Sequence, residues 1–156
     1  MTDRFHLQRF VEAQDAAGTH ERALAELRAG HKRTHWMWFV FPQLVGLGRS
    51  ATAQRYAIGS LDEARAYLAH PLLGPRLRES AQALLAAPAD LTAHDILGAT
   101  DALKLRSSIT LFARAAPNEP LFEQVLERYH DGLADEATDR LLGNEATAGA
   151  RRRSTD

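Results

Sequence analysis

Apolar residues recur at intervals of three and four along most of this chain, a spacing that places them on one face of an α-helix. Alternation of period two, which would indicate a half-buried strand, is confined to Trp36–Phe41. The pattern therefore predicts an all-α fold: a single compact domain of seven to nine helices with an irregular aromatic loop near residues 30–49. The best-defined helical run consists of Leu121, Phe122, Val125, Leu126 and Tyr129.

Polar and turn-forming residues between these runs predict where helices begin and end. Gly30 is expected to end one helix, because glycine readily adopts the left-handed conformation that closes a helix C-terminus. Ser60 and Glu63 have the spacing of a capping box, in which each side chain accepts a hydrogen bond from a free backbone N–H group. Thr100 and Asn118 are expected to cap two later helices.

The length of 156 residues suits one domain with a sizeable core. We expect a single helical domain over residues 3–142 and a flexible polar tail over 143–156, where the residues are small, polar and aperiodic. The tail contains three consecutive arginines, Arg151–Arg153. Solvation is the simpler interpretation of these arginines, and a binding role is the alternative.

Composition excludes several functional classes. The chain has no cysteine, which excludes disulfides, thiolate zinc sites, iron–sulfur clusters and cysteine nucleophiles. Its formal net charge of −1 argues against nucleic-acid binding through bulk positive charge. The longest apolar run, Trp36–Phe41, is far shorter than the about 20 residues that cross a membrane. The N-terminal sequence lacks the apolar segment of a secretory signal, so we expect a cytoplasmic protein.

Two segments depart from the ordinary helical pattern, and the first is rich in aromatic side chains. Both tryptophans of the chain, Trp36 and Trp38, directly follow a stretch with two histidines, a lysine and an arginine. Cations beside flat aromatic faces can hold a planar anionic ligand, since the ring stacks and the cations meet phosphate. The alternative is structural: these rings fill the core where an irregular loop crosses it.

The second segment lies in the helix predicted to follow Thr100. Asp101, Lys104 and Ser108 are spaced i, i+3 and i+7 and share one face of a helix that is otherwise apolar. A partly buried lysine needs a partner, and Asp101 is the nearest candidate. The segment either forms an internal ion pair that fixes helix packing, or it binds a phosphate or sugar beside a carboxylate that can act as a base.

We expect the two segments to meet around one pocket that binds a small phosphorylated or nucleotide-like ligand, such as ADP-ribose or an NAD-related compound. Asp101 and Lys104 are the candidate catalytic residues, with hydrolysis of an N-glycosidic bond as the first chemistry to test. No cofactor is expected, and no metal, because His31 and His35 lack a third ligand at suitable spacing. The candidate ligand-binding residues are Lys32, His35, Trp36, Trp38, Gln43, Ser107 and Ser108.

Two alternatives to this pocket stay open. The aromatic segment Trp36–Phe41 could be the exposed patch of a non-enzymatic interaction module that contacts a protein partner or a second copy of the chain. A basic surface could instead bind nucleic acid, and that binding would depend strongly on salt. The residues of such a surface would be Arg28, Lys32, Arg33 and Arg49.

Several motifs of this sequence occur together in a known family. They are Lys32-x-x-His35-Trp36-Met37-Trp38-Phe39-x-Phe41-Pro42-Gln43, Gly46-Leu47-Gly48, Ser60-Leu61-x-Glu63-Ala64, Tyr67-Leu68-x-His70-Pro71-x-Leu73-Gly74 and Asp101-x-x-Lys104-Leu105-x-Ser107-Ser108-x-Thr110-Leu111-Phe112. With these motifs the chain resembles the domain-of-unknown-function 1810 family over roughly residues 3–142. His20 and Ile109 stand where many members have Tyr and Met.

This resemblance implies a small, mostly helical bacterial protein and supplies no established reaction. Members often carry the label "calpastatin", which fits poorly here, because an inhibitor that folds on its partner is expected to be polar and disordered. The order of helices around Lys104 and Val125–Tyr129 is also similar to that of the NADAR group. That similarity implies action on N-glycosidic compounds of the ADP-ribose type.

Overall fold

The fold is built almost entirely from helices. A computed structural model describes residues 3–143 of the chain. Within that range, nine α-helices lie between Gln8 and His130, and residues 136–143 form a further helical segment. The helices are α1 (Gln8–Asp15), α2 (Thr19–Ala29), α3 (Met37–Val40), α4 (Ala51–Arg55), α5 (Leu61–Ala69), α6 (Leu73–Ala86), α7 (Ala93–Leu97), α8 (Ala99–Ala115) and α9 (Pro120–His130).

The prediction of an all-α fold is confirmed. No described residue belongs to a strand, and one isolated parallel bridge joins Leu44 to Ile58. The alternating segment Trp36–Phe41 contains a single helical turn, α3, which lies in the irregular stretch between α2 and α4. No helix of the described range is long and apolar enough to cross a bilayer. Apart from Gly143, the expected polar tail falls on residues 144–156, outside the described range.

Two of the predicted helix ends occur at the expected residues. Gly30 ends α2 with a φ of 75°, and the N–H of His31 reaches back into the last turn of that helix at 3.0 Å. Ser60 caps α5, with its Oγ accepting from the N–H of Glu63 at 3.1 Å. The Glu63 carboxylate accepts from Gly59 at 3.1 Å instead of from Ser60, so only the serine half of the capping box is as predicted.

Two other predicted caps are wrong by one or two residues. The helix expected to follow Thr100 begins at Ala99, because Gly98 takes the non-helical position with a φ of 86°. The helix expected to follow Asn118 begins at Pro120, whose fixed φ and missing N–H suit the first helical position. In both cases a backbone preference of glycine or proline prevailed over a side-chain cap.

Helix α8 runs through the centre of the core. It contacts α5, α7 and α9, and its residues Leu105, Ile109 and Phe112 are fully buried. The ring of Phe112 lies 5.3 Å from that of Tyr67 in α5 and 6.1 Å from that of Phe122 in α9, measured between centroids. Burying each such side chain contributes about 1.5–3 kcal/mol. The middle and C-terminal turns of α8 therefore anchor this helix in the core, and its first turn lies at the edge of the core.

Candidate functional site

A buried carboxylate, that of Glu26, shapes the loop that follows α2. Its Oε1 accepts hydrogen bonds from the backbone N–H groups of Arg33 (2.8 Å) and Thr34 (3.0 Å) and from Nε1 of Trp36 (2.9 Å). Its Oε2 accepts from the Thr34 hydroxyl at 2.7 Å. Burial alone would raise the pKa of Glu26, but these four hydrogen bonds outweigh it and lower the pKa from 4.5 to about 2. The carboxylate stays ionised and fixes this loop.

Lys32 lies in the same loop and connects it to α7 and α8. Its backbone N–H donates to the carbonyl of Ile96 in α7 at 2.8 Å. Because α8 begins only two residues after α7 ends, this bond brings the loop beside the first turn of α8. There Nζ of Lys32 lies 3.0 Å from Oδ2 of Asp101. The two segments singled out in the sequence therefore meet in space.

Asp101 is shared by two lysines. Nζ of Lys104, one turn further along α8, lies 3.8 Å from Oδ1 of the same carboxylate. Lys32 Nζ also lies 5.2 Å from the ring centroid of Trp36, and Lys104 Nζ lies 5.5 Å from that of Trp38. We call Lys32, Asp101 and Lys104 the lysine cluster. With two ammonium groups and one carboxylate, it carries one positive charge in excess.

The lysine cluster gathers every lysine that the chain has. Lys32 and Lys104 are the only lysines among its 19 Lys and Arg residues. Apart from a contact between His20 and Glu79, the other ion pairs within residues 3–143 use arginine, as in the pair between Arg114 and Asp139, which is joined by two hydrogen bonds. Arginine forms the firmer, bidentate pair with a carboxylate, so ion pairing alone gives no reason for lysine here. The cluster therefore concentrates the side-chain amines of the protein at one carboxylate.

Helix α3 is held in place by a buried polar network. Nε2 of Gln14 in α1 donates to the carbonyl of Phe39 at 2.7 Å and to the hydroxyl of Tyr67 at 3.2 Å. Arg76 of α6 donates to Oε1 of Gln14 at 3.3 Å. Burial raises the pKa of Tyr67, so its hydroxyl keeps its proton. Three helices thus hold the backbone of the aromatic segment in place.

The cavity between α3 and α8 is small. Its volume is about 10 Å³, roughly the space of one water molecule. A cavity of this size has no room for a whole nucleotide, and three of the residues that line it, Met37, Phe41 and Leu44, are buried. The binding of a nucleotide-like ligand stays a prediction. The residues that line the cavity are Met37, Trp38, Phe41, Gln43, Leu44, Gly48, Ala53, Ala57 and Lys104.

The two tryptophans have different roles. Trp36 is 0% exposed and its Nε1 is bound to Glu26, so it cannot stack on a ligand in this structure. Its ring is part of the core, which is the structural alternative given above for the aromatic cluster. Trp38 is half-buried and lines the small cavity together with Lys104 and Gln43. Of the two tryptophan rings predicted to contact a ligand, only that of Trp38 is accessible.

Burial also bears on the two alternative functions. In the aromatic segment Trp36–Phe41, only Trp38 and Phe39 are partly exposed, so the segment offers a protein partner little aromatic surface. Three of the four basic residues considered for nucleic-acid binding are exposed, whereas the fourth, Lys32, is committed to Asp101. The exposed three are Arg28, Arg33 and Arg49.

The remaining predicted site residues lie in three different environments. The hydroxyl of Ser107 donates to Oδ2 of Asp135 at 3.0 Å and to the carbonyl of Leu103 at 3.2 Å, so it is occupied in holding the C-terminal helical segment against α8. Ser108 is fully buried, and its hydroxyl has no hydrogen-bond partner among the described residues. His35 is exposed. Between residues 3 and 143, no three His, Asp or Glu side chains form a group that could hold a metal ion.

Two residues that organise this region did not stand out in the sequence. Glu26 lies three residues after Ala23 and one turn before Gly30, at the edge of the apolar stripe of α2. This position in the sequence could have indicated that its carboxylate is buried. The scarcity of lysine was visible in the composition as well. Asp135 follows a turn and carries no comparable signal, although it also accepts from the backbone and hydroxyl of Thr138, at 3.1 and 2.6 Å.

Known proteins resemble this chain in both sequence and fold. Residues 4–142 match a family described as "Protein of unknown function (DUF1810)". The fold is similar to the crystal structure of the conserved hypothetical protein Rv1873 from Mycobacterium tuberculosis, at 50% sequence identity and a TM-score of 0.86, over 90% of this chain and 99% of that one. No curated protein matches the sequence. Because the family match extends over nearly the whole helical domain, the chain belongs to the DUF1810 family, as its motifs predicted.

Proposed function

We propose that this protein binds the phosphorylated end of a small, nucleotide-like ligand at the mouth of the cavity beside Lys104 and Trp38. The observation that supports the proposal is the sharing of Asp101 by both lysines, at 3.0 and 3.8 Å. This arrangement leaves one positive charge in excess beside a partly exposed aromatic ring. An excess charge at a partly desolvated site favours an anion.

The two lysines are unequal partners for such an anion. The Lys32 side chain is 9% exposed and lies close to Asp101, so its charge is largely used inside the protein. The Lys104 side chain is 26% exposed and lies at the longer distance from Asp101. An ammonium group has three donors, and Lys104 therefore keeps donors for a phosphate oxygen. Because the cavity has room for only about one water molecule, the rest of the ligand would lie outside it, against Trp38.

The chemistry that we assign first to this site is hydrolysis of an N-glycosidic bond in a compound of the ADP-ribose or NAD type. Asp101 would orient the attacking water as a general base, and Lys104 would neutralise the phosphate of the substrate. This choice of substrate follows the resemblance to the NADAR group expected from the order of helices, and that resemblance stays a prediction. A phosphorylated metabolite as ligand would also fit the cytoplasmic location proposed from the sequence.

Calorimetric titration tests the binding proposal. ADP-ribose, NAD and ribose 5-phosphate are added up to millimolar concentration, with melting temperature and tryptophan fluorescence as second readouts. We expect binding of at least one compound and a loss of about tenfold or more in affinity for Lys104→Met, because a charge-assisted hydrogen bond is removed. Arg65→Met, which removes an exposed charge on α5, is the matched control. Wild-type affinity in Lys104→Met, or no binding of any compound, would refute the proposal.

A separate assay tests the hydrolysis. NAD is incubated with the protein, and released nicotinamide is measured by chromatography. We expect release by the wild type and a loss of about a hundredfold or more in Asp101→Asn, which cannot act as a base. If the wild type binds NAD but releases no nicotinamide, the assignment of a hydrolase to NAD is wrong and the binding proposal stands.

A further inference from the structure

A larger cavity lies between the N-terminal segment and the end of α5. Its volume is about 430 Å³, within the range of about 300–1,000 Å³ that small-molecule sites occupy. None of its lining residues belongs to the lysine cluster or to the small cavity beside Trp38. We call this cavity the N-terminal groove. The residues that line it are Asp3, Arg4, Phe5, Leu7, Gln8, Ala66, His70 and Pro71.

The lining of the N-terminal groove combines apolar side chains with polar ones. We propose that the groove binds a small organic acid that carries one carboxylate on an apolar body. Phe5, Ala66 and Pro71 supply apolar surface for the body of such a ligand. The proposal is independent of the proposed function, because it concerns a different ligand and a different set of residues.

Arg9 joins the two walls of the groove. Its Nη1 donates to the carbonyl of Phe5 at 2.7 Å and to that of His6 at 2.9 Å. Its Nη2 donates to Oε2 of Glu63 in α5 at 3.0 Å. The turn before α1 is closed as well, since the N–H of His6 donates to the carbonyl of Asp3 at 3.1 Å. The groove is therefore formed before a ligand arrives, which lowers the entropic cost of binding.

The carboxylate of Asp3 is engaged by the backbone at the start of α1. Its Oδ2 accepts from the N–H of Gln8 at 2.9 Å, and its Oδ1 accepts from the N–H of Leu7 at 2.7 Å. These hydrogen bonds lower the pKa of Asp3, so the group is ionised at neutral pH. The charge of Asp3 is partly balanced by the helix N-terminus, but it still repels a ligand with two negative charges. A carboxylate, with a single charge, therefore suits the groove better than a phosphate monoester.

Arg4 and His70 supply the donors for that carboxylate. Cζ of Arg4 lies 4.8 Å from the ring centroid of Phe5, and the guanidinium forms no ion pair with any residue of the described range. Nδ1 of His70 accepts from the backbone N–H groups of Leu72 and Leu73, at 3.1 and 3.2 Å. Both bonds require an Nδ1 without a proton, so the donor of this ring is Nε2. A guanidinium binds a carboxylate through two parallel hydrogen bonds, and the imidazole adds a third donor.

Calorimetric titration with hexanoate and 3-phenylpropionate, at constant ionic strength, tests the proposal. We expect at least one acid to bind, and its uncharged amide to bind at least about tenfold more weakly, because the amide lacks the ionised acceptor. Phenethyl phosphate, of similar length but with two charges, should bind more weakly than 3-phenylpropionate. Binding of neither acid, equal binding of an acid and its amide, or binding of the phosphate at least as tight as that of the acid would overturn the proposal.

Two variants separate binding inside the groove from ion pairing at the open surface. Arg4→Gln removes the charge at an exposed position and should lower the affinity about tenfold or more without changing the melting temperature. Arg28→Gln, at an exposed position of α2, is the matched control and should bind as the wild type does. Ala66→Leu narrows the groove and changes no charge, so we expect it to weaken the binding of 3-phenylpropionate. Wild-type affinity in Arg4→Gln or in Ala66→Leu would contradict the site.

NMR spectra of the wild type locate the bound acid without any substitution. We expect 3-phenylpropionate to shift the resonances of Phe5, Ala66 and His70 and to leave the indole of Trp38 unchanged. Shifts at Trp38 alone would show that the acid binds beside the lysine cluster, which refutes this site and leaves the proposed function in place. Small shifts spread over the whole surface would show unspecific association and refute it as well.

Discussion

Nε1 of Trp36 donates a 2.9 Å hydrogen bond to Oε1 of Glu26, the oxygen that also accepts from two backbone N–H groups of the following loop. One carboxylate thus fixes both the ring at the start of the aromatic segment and the loop that carries Lys32. The position of the lysine cluster depends on this buried charge.

Replacing Glu26 by glutamine should destabilise the protein. Glu26→Gln keeps the shape of the side chain. It replaces a carboxylate that accepts four hydrogen bonds with an amide whose NH2 group can only donate. We expect a loss of about 2–3 kcal/mol in the free energy of unfolding, measured by urea denaturation. Glu12→Gln, at an exposed position of α1, is the control and should stay within about 0.5 kcal/mol of wild type. Equal stability of the two variants would contradict the structural role of Glu26.

The pH dependence of stability should report the same carboxylate. The folded-state pKa of Glu26 is lowered from 4.5 to about 2. A lowered pKa means that the folded state holds the ionised form more tightly than the unfolded state does, so the contribution is complete above pH 4.5 and is lost as the pH falls towards 2. We expect the difference in unfolding free energy between wild type and Glu26→Gln to shrink over this window. A difference that stays constant from about pH 6 to about pH 2.5 would exclude the assignment.

Removing the shared carboxylate should lower the free energy of unfolding more than removing one of the two lysines. Asp101→Asn leaves two ammonium groups beside each other, one of them only 9% exposed, whereas Lys32→Met leaves Asp101 paired with Lys104. We expect Asp101→Asn to lower the unfolding free energy by about 1–3 kcal/mol and by more than Lys32→Met does. Asp62→Asn, in an exposed pair with Arg65, controls for the loss of a surface carboxylate. The reverse order of the two cluster variants would contradict the shared ion pair.

Asp135 should hold the C-terminal helical segment against α8. Its Oδ2 accepts from the hydroxyl of Ser107 and from both the backbone and hydroxyl of Thr138. Asp135→Ala is expected to cost about 1–3 kcal/mol and to raise amide hydrogen exchange in residues 136–143 above that of α8. Glu136→Ala, at the neighbouring exposed position, should change neither quantity appreciably. Unchanged exchange in Asp135→Ala would show that other contacts suffice.

Gly74 should tolerate no side chain. A Cβ at this position would overlap the carbonyl oxygen of Leu68, so the end of α5 and the start of α6 would have to separate. We expect Gly74→Ala to lower the unfolding free energy by about 1–3 kcal/mol. Gly143→Ala is the matched control, because a methyl group there would meet no atom within 4 Å, and helix propensity predicts no loss. Wild-type stability of Gly74→Ala would show that the junction can relax.

Several features could be predicted because their causes are local. The spacing of Leu121, Phe122 and Val125 was sufficient to predict α9, since an amphipathic helix needs only a periodic apolar face. Gly30 ended α2 where predicted, because its positive φ is a property of the glycine itself. The predictions that Thr100 and Asn118 cap helices were wrong. Where a helix starts depends on the backbone conformations that the neighbouring residues prefer as well as on the presence of a capping side chain.

The sequence alone determined that this chain folds into helices and that Lys104 lies one turn from Asp101, because both follow from residue spacing along a single helix. Only the tertiary structure decided that Lys32 reaches the same carboxylate, that Trp36 is buried on Glu26, and that the space beside Trp38 admits a single water. These relations join segments that are distant in the chain. They are set by how the helices pack, because residue spacing shows which face of a helix is buried but not which other helix that face contacts.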